Sequence, residues 1–158
     1  MTEEEVYKGI KKFFSIEELV GPIVYKKYGE AAWRFLCPRL LETILILRKN
    51  LNLPFTANTW KKGGIYDERG LRDNMTDVLK NRTKKGRLYL SAHIMGKALD
   101  FKVEGMTAEQ VRMWIVANED LFPYRLRLEH NKNGKPISWV HLDVHCDIDN
   151  PKVYLFDV

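Results

Sequence analysis

Residues 123–145 read PYRLRLEHNKNGKPISWVHLDVH, and the reading of this stretch decides the fold. PYRLRLE and ISWVHLDV both have strand character, and NKNGK lies between them. Asn133-Gly134 readily takes positive φ, so the stretch predicts a β-hairpin. Alternation along the second strand sends Trp139, His141, Asp143 and His145 to one side and Val140, Leu142 and Val144 to the other. The apolar set suits a core face. The imidazoles and the carboxylate are costly to bury unpaired, so their side suits a cleft or water. A third strand candidate, KVYLFDV, closes the chain.

Upstream the pattern is helical. Glu3 to Phe14 predicts a short helix with Val6, Ile10 and Phe13 or Phe14 on one side, and Ser15 with Glu17 and Glu18 reads as a cap and first turn of another. Gly21-Pro22 is expected to end that second helix. Pro38 fits the first turn of RLLETILILRKN, whose Leu40, Leu41, Ile44, Leu45 and Leu47 form a wide apolar stripe. PFTANTW looks extended, KKGGIYDERGLRDN reads as a loop, and GRLYLSAH has strand character. TAEQVRMWIVAN opens with Thr107 and Gln110 at capping-box spacing, with Val111, Trp114 and Ile115 following at helical spacing. Helices first and strands last predict an α+β fold, with helices packed on a small antiparallel sheet in one domain over residues 1–158.

The formal charge of +5 suits an anionic partner without choosing one. The basic residues are scattered, and no recognition motif or basic helix supports a nucleic-acid-binding module. The first residues carry acids and no long apolar core, so no secretory signal is expected. No stretch approaches the roughly 20 apolar residues of a membrane span. Cys37 and Cys146 stand alone, which excludes a four-cysteine zinc site.

SAHIMGKALDF, residues 91–101, adds His93 and Asp100 to the histidine of the predicted hairpin. Two neutral imidazoles and a carboxylate from His93, Asp100 and His141 would suit a zinc ion and leave a fourth position for water. Spacing alone leaves open that each is an ordinary polar residue.

SAHIMGKALDF resembles the SxHxxGxAxD motif of the D-Ala-D-Ala carboxypeptidase and hedgehog-type zinc peptidase family, which includes phage endolysins. WVHLDV is similar to the family's late strand bearing a ligand histidine. ERGLR is a looser match to a segment whose arginine holds substrate polar or carboxylate groups. The resemblance spans roughly residues 13–144. It implies His93, Asp100 and His141 as Zn2+ ligands, Arg72 as the substrate-holding arginine, and a hedgehog/DD-peptidase-like fold. The implied activity is hydrolysis of an amide bond in peptidoglycan stem peptides.

One departure stands out. Many relatives carry Glu or Asp three residues before the last histidine as general base, and Ser138 occupies that place here. Asp143, on the same strand side as His141, is the preferred replacement, with orientation of a ligand imidazole as its other role. Asp67 or Glu68 could also enter from the loop. Trp139 is a candidate groove wall, Trp114 a core residue and Trp60 a loop anchor. The expected setting is cytoplasmic synthesis followed by action at the bacterial wall after phage-type release. Loss of the acid at 138 supports the alternative of a non-catalytic structural or wall-binding protein on the same fold.

Overall fold

The computed structural model describes all 158 residues. The N-terminal third is helical: α1 (Glu3–Ile10), α2 (Pro22–Tyr28) and α3 (Pro38–Leu51). Thr2 and Glu5 form a reciprocal cap on α1. Pro22 starts α2 rather than ending a helix, since its missing N–H falls in a first turn where no partner is needed. The preceding segment is only a single 3-10 turn, Ile16–Glu18. Val6 and Ile10 of α1 and the stripe from Leu40 to Leu47 of α3 are buried in one apolar cluster.

The strands are β1 (Phe55–Thr56), β2 (Ala98–Val103), β3 (Leu126–Lys132), β4 (Lys135–Asp143) and β5 (Val153–Phe156). They form an open sheet in the order β1-β2-β4-β3-β5. Helix α4 (Asp77–Lys84) lies in the connection before β2, and α5 (Ala108–Ala117) follows β2 behind its Thr107–Gln110 capping box. The β3–β4 hairpin turns on Asn133 and Gly134, at φ 51° and 73°. Leu99 and Phe101 of β2, Leu126 and Leu128 of β3, and Val140 and Leu142 of β4 carry the core under the helices.

Three further expectations are corrected. The sheet is mixed rather than antiparallel, because β5 runs parallel to β3. Strand β2 already occupies the outer edge of β4, so the chain leaving β4 can extend the sheet only at β3's free edge, and it arrives there in β3's direction. The stretch 87–91 forms no strand: Leu88 and Leu90 are 88% and 68% exposed, so its alternation buries nothing. Trp114 is only half-buried, at the margin of the core.

The hairpin is not a simple ladder. Lys132 pairs with Lys135 beside the turn, yet Glu129 pairs with His141, and the residues between Pro136 and His141 face only His130. A bulge of this kind removes carbonyls from the ladder, and Arg112 of α5 supplies donors for them. Arg112 is 1% exposed, and its guanidinium donates to the carbonyls of Ile137 and Trp139. The strand segment carrying His141 is therefore held from the helix side.

Candidate metal centre

The outer face of the sheet carries two rows of side chains set by register. Asp143 lies between Ala98 and Arg127, and His141 lies between Asp100 and Glu129. His93 reaches this face from a turn that Gly96 closes. Gly96 has φ 64°, and a Cβ there would sit 2.0 Å from the carbonyl oxygen of Phe35, so only glycine lets the chain pass from His93 into β2 at this spot.

His93, Asp100 and His141 are all buried, and one ligand atom from each can be chosen so that all lie within 4.8 Å of one another. His93 Nε2 is 3.2 Å from His141 Nδ1 and 3.4 Å from Asp100 Oδ2, and His141 Nδ1 is 2.8 Å from Asp100 Oδ1. A tetrahedral ion with bonds of about 2 Å sets its ligand atoms about 3.3 Å apart, so the donor set fits zinc or a similar divalent ion.

The outer nitrogens point the same way. His93 Nδ1 lies 2.8 Å from the Gly70 carbonyl, which can only accept, so Nδ1 carries the proton and Nε2 offers its lone pair inward. His141 Nε2 lies 3.0 Å from Asp143 Oδ2, which leaves Nδ1 facing the cluster. A carbonyl and a carboxylate behind two inward-facing imidazoles is the usual support of histidine ligands.

Burial works against the charged form of His141, but its bonds to Asp100 and Asp143 outweigh it and raise its pKa to about 9. Burial also opposes ionisation of Asp100, and its bonds from His141 and His93 prevail, holding it well below the usual carboxylate range. In the metal-free protein His141 is thus an imidazolium at neutral pH. Its Nδ1 proton stands among the atoms that would hold a cation, and a metal ion must displace it.

Asp143 is 0% exposed. Its Oδ1 accepts from Arg127 Nε at 2.9 Å and from the His145 amide at 2.9 Å, and its Oδ2 accepts from Arg127 Nη2 at 3.1 Å as well as from His141. Burial alone would raise its pKa, but His141 and Arg127 lower it. A carboxylate so enclosed, with each oxygen doubly engaged, is suited to orienting the His141 ring. Of the two roles expected for Asp143, these contacts match the orientation of the His141 ring. Ser138 lines a different cleft, beside Thr107 and Val140 at the start of α5, so its side chain does not face the histidines. His145 lies beyond β4 and is exposed.

Arg72 Nη2 approaches Asp100 Oδ2 at 3.3 Å, while its Nε donates to the Glu68 carbonyl at 2.9 Å. Arg72, Asp100 and Trp139 line both of two adjoining cavities, of about 260 and 540 Å³, and His93 and His141 open into the larger. Trp139 is thus a groove wall, and Trp60 anchors its loop by donating to the Val20 carbonyl at 2.9 Å. Asp67 and Glu68 line the smaller cavity, with Glu68 Oε1 accepting from the Asp77 amide at 2.8 Å.

Sequence reasoning passed over Arg127, Glu129 and Ser91. Ser91 Oγ is buried without a hydrogen-bond partner beside the larger cavity. Arg127 and Glu129 become visible only once the hairpin register is known. No protein-family model, curated protein or solved structure matches the chain.

Proposed function

We propose that the chain is a zinc-dependent hydrolase of an amide bond in peptidoglycan stem peptides, of the D-Ala-D-Ala carboxypeptidase or L-Ala-D-Glu endopeptidase type. The observation that carries the metal half of this reading is the convergence of His93 Nε2, His141 Nδ1 and the Asp100 carboxylate, with both outer ring nitrogens already engaged. The peptidoglycan half rests on the resemblance of SAHIMGKALDF and WVHLDV to zinc peptidases.

His93, Asp100 and His141 would hold the ion. When bound, it supplies Lewis acidity that polarises a substrate carbonyl and makes a nearby water more acidic. Asp143 and Arg127 keep the His141 ring in place. Arg72, held by the Glu68 carbonyl, the Tyr89 hydroxyl and Asp100, lines the groove, where its guanidinium charge suits a substrate carboxylate. Trp139 offers an apolar wall to the peptide. The net positive charge favours approach to an anionic wall polymer. No helix is long and apolar enough to cross a membrane. The same reading places its action at the bacterial wall after phage-type release.

The full commitment of both Asp143 oxygens favours a second reading, a non-catalytic wall-binding protein that holds zinc for structure. Incubation with purified peptidoglycan separates the two. The hydrolase releases new amino groups with zinc, stops with a chelator and is inactive as His141→Ala. A zinc-loaded protein that sediments with the wall and releases nothing supports the second reading.

A further inference from the structure

We propose that Glu129 is the catalytic base of this reaction, an inference that rests on the hydrolase reading above. Glu129 stands directly opposite His141 on β3, as Asp100 does on β2, so the three form one row across the sheet face that bears the donor cluster. Directly opposed residues on neighbouring strands hold their Cβ atoms about 4.5–5.5 Å apart on the same face. The Glu129 side chain therefore starts beside the His141 ring, and its length lets it lean over that ring towards the other two donors. It is half-buried and lines the larger cavity with His93, Asp100 and His141.

The other acids of that cavity are occupied. Asp100 belongs to the donor set, and Asp143 accepts four hydrogen bonds. The Glu129 carboxylate has neither a hydrogen bond nor an ion pair, whereas its backbone carbonyl accepts from Arg112 Nη1 at 3.5 Å. The backbone is pinned while the carboxylate is left without a partner. Counting from the Lys132–Lys135 pair without a bulge would place Glu129 opposite Ser138, whereas the bulge moves it to His141. An acid from the neighbouring strand thus stands at the site that Ser138 does not reach.

In the step assigned to it, a water oxygen bonds to the substrate carbonyl carbon while the water's proton passes to a Glu129 oxygen. The C–N bond then breaks, and Glu129 delivers that proton to the leaving nitrogen. One water is consumed, an acid and an amine form, and Glu129 returns to a carboxylate.

The test uses the full chain reconstituted with zinc, as wild type, Glu129→Gln, Glu129→Ala and Glu68→Gln. It reads zinc stoichiometry, zinc Kd by chelator competition, and kcat and KM on peptidoglycan fragments. Glu129→Gln is expected to keep one zinc and a wild-type Kd, hold KM within about threefold and lose about 10²–10⁴-fold in kcat. Added formate is expected to restore part of the rate of Glu129→Ala. A Glu129→Gln kcat within about fivefold of wild type, a loss of zinc from that variant, or a larger kcat loss in Glu68→Gln overturns the assignment. An active wild type with an active Glu129→Gln removes Glu129 alone, whereas a zinc-loaded wild type without hydrolysis removes the hydrolase reading and this inference together.

Discussion

Replacing Asp143 with Asn tests how the site is built. The aspartate accepts four hydrogen bonds, from His141, Arg127 twice and the His145 amide. Asparagine keeps one oxygen and turns an NH2 group towards donors, so the His141 ring loses a charged partner. Loss of such a partner behind a metal-binding histidine costs about 10–100-fold in affinity, or about 1.4–2.7 kcal/mol. A second effect has the opposite sign. With the His141 pKa at about 9, its proton weakens zinc binding at pH 7 by about two decades, and removing the Asp143 charge relieves part of that competition. The two effects offset each other at pH 7 and separate above pH 9, where the proton has already gone. Chelator-buffered zinc titrations at pH 7 and 9.5 should show a small change at the lower pH, a 10–100-fold loss at the higher, and a flatter pH dependence in the variant. A folded Asp143→Asn protein with wild-type affinity at pH 9.5 refutes the orienting role. If it also loses hydrolysis, proton transfer returns to Asp143.

Gly96→Ala should unfold the turn before β2: the positive φ costs about 1–2 kcal/mol, and the collision with the Phe35 carbonyl adds to it. Denaturant titration checks the loss, and metal analysis should show weakened zinc retention. The metal-free protein should lose stability as pH rises. His141 has its folded pKa raised from 6.5 to about 9, so its contribution is full below about 6.5 and disappears through about 9, a change on the order of 3 kcal/mol. Asp100 and Asp143 have lowered folded values, so their contribution holds above the usual carboxylate range and fades on acidification below it. Thermal melts of metal-free protein across pH 3–10 should show both flanks, and an alkaline flank that is flat contradicts the charged His141. Arg72→Ala should keep zinc and raise KM for carboxylate-bearing peptides about 10–100-fold, the worth of a charge-assisted contact. An unchanged KM removes Arg72 from substrate binding.

The hairpin was legible because an Asn-Gly turn is a local signal, and His93, Asp100 and His141 were legible because a spaced motif survives in one dimension. The rest depends on tertiary pairing. Glu129 and Arg127 come to lie opposite His141 and Asp143 through a bulge that no count along the strands reveals. Arg112 looks like a solvated helix residue until the carbonyls of the bulged strand are seen to need its donors. Helix α4 buries none of its residues, so no apolar stripe announces it. Leu88 and Leu90 imitate a strand without a sheet edge to join, and the direction of β5 follows only from β2 already holding the edge of β4.

The central claim is that two imidazoles and a carboxylate, brought together from a turn and two neighbouring strands, hold one divalent cation. Metal analysis of the protein after dialysis against zinc, side by side with His93→Ala, tests it most directly. The account predicts one equivalent of zinc on the wild type and none retained by the folded variant. A wild type that retains no zinc, or a folded His93→Ala that retains a full equivalent, contradicts it.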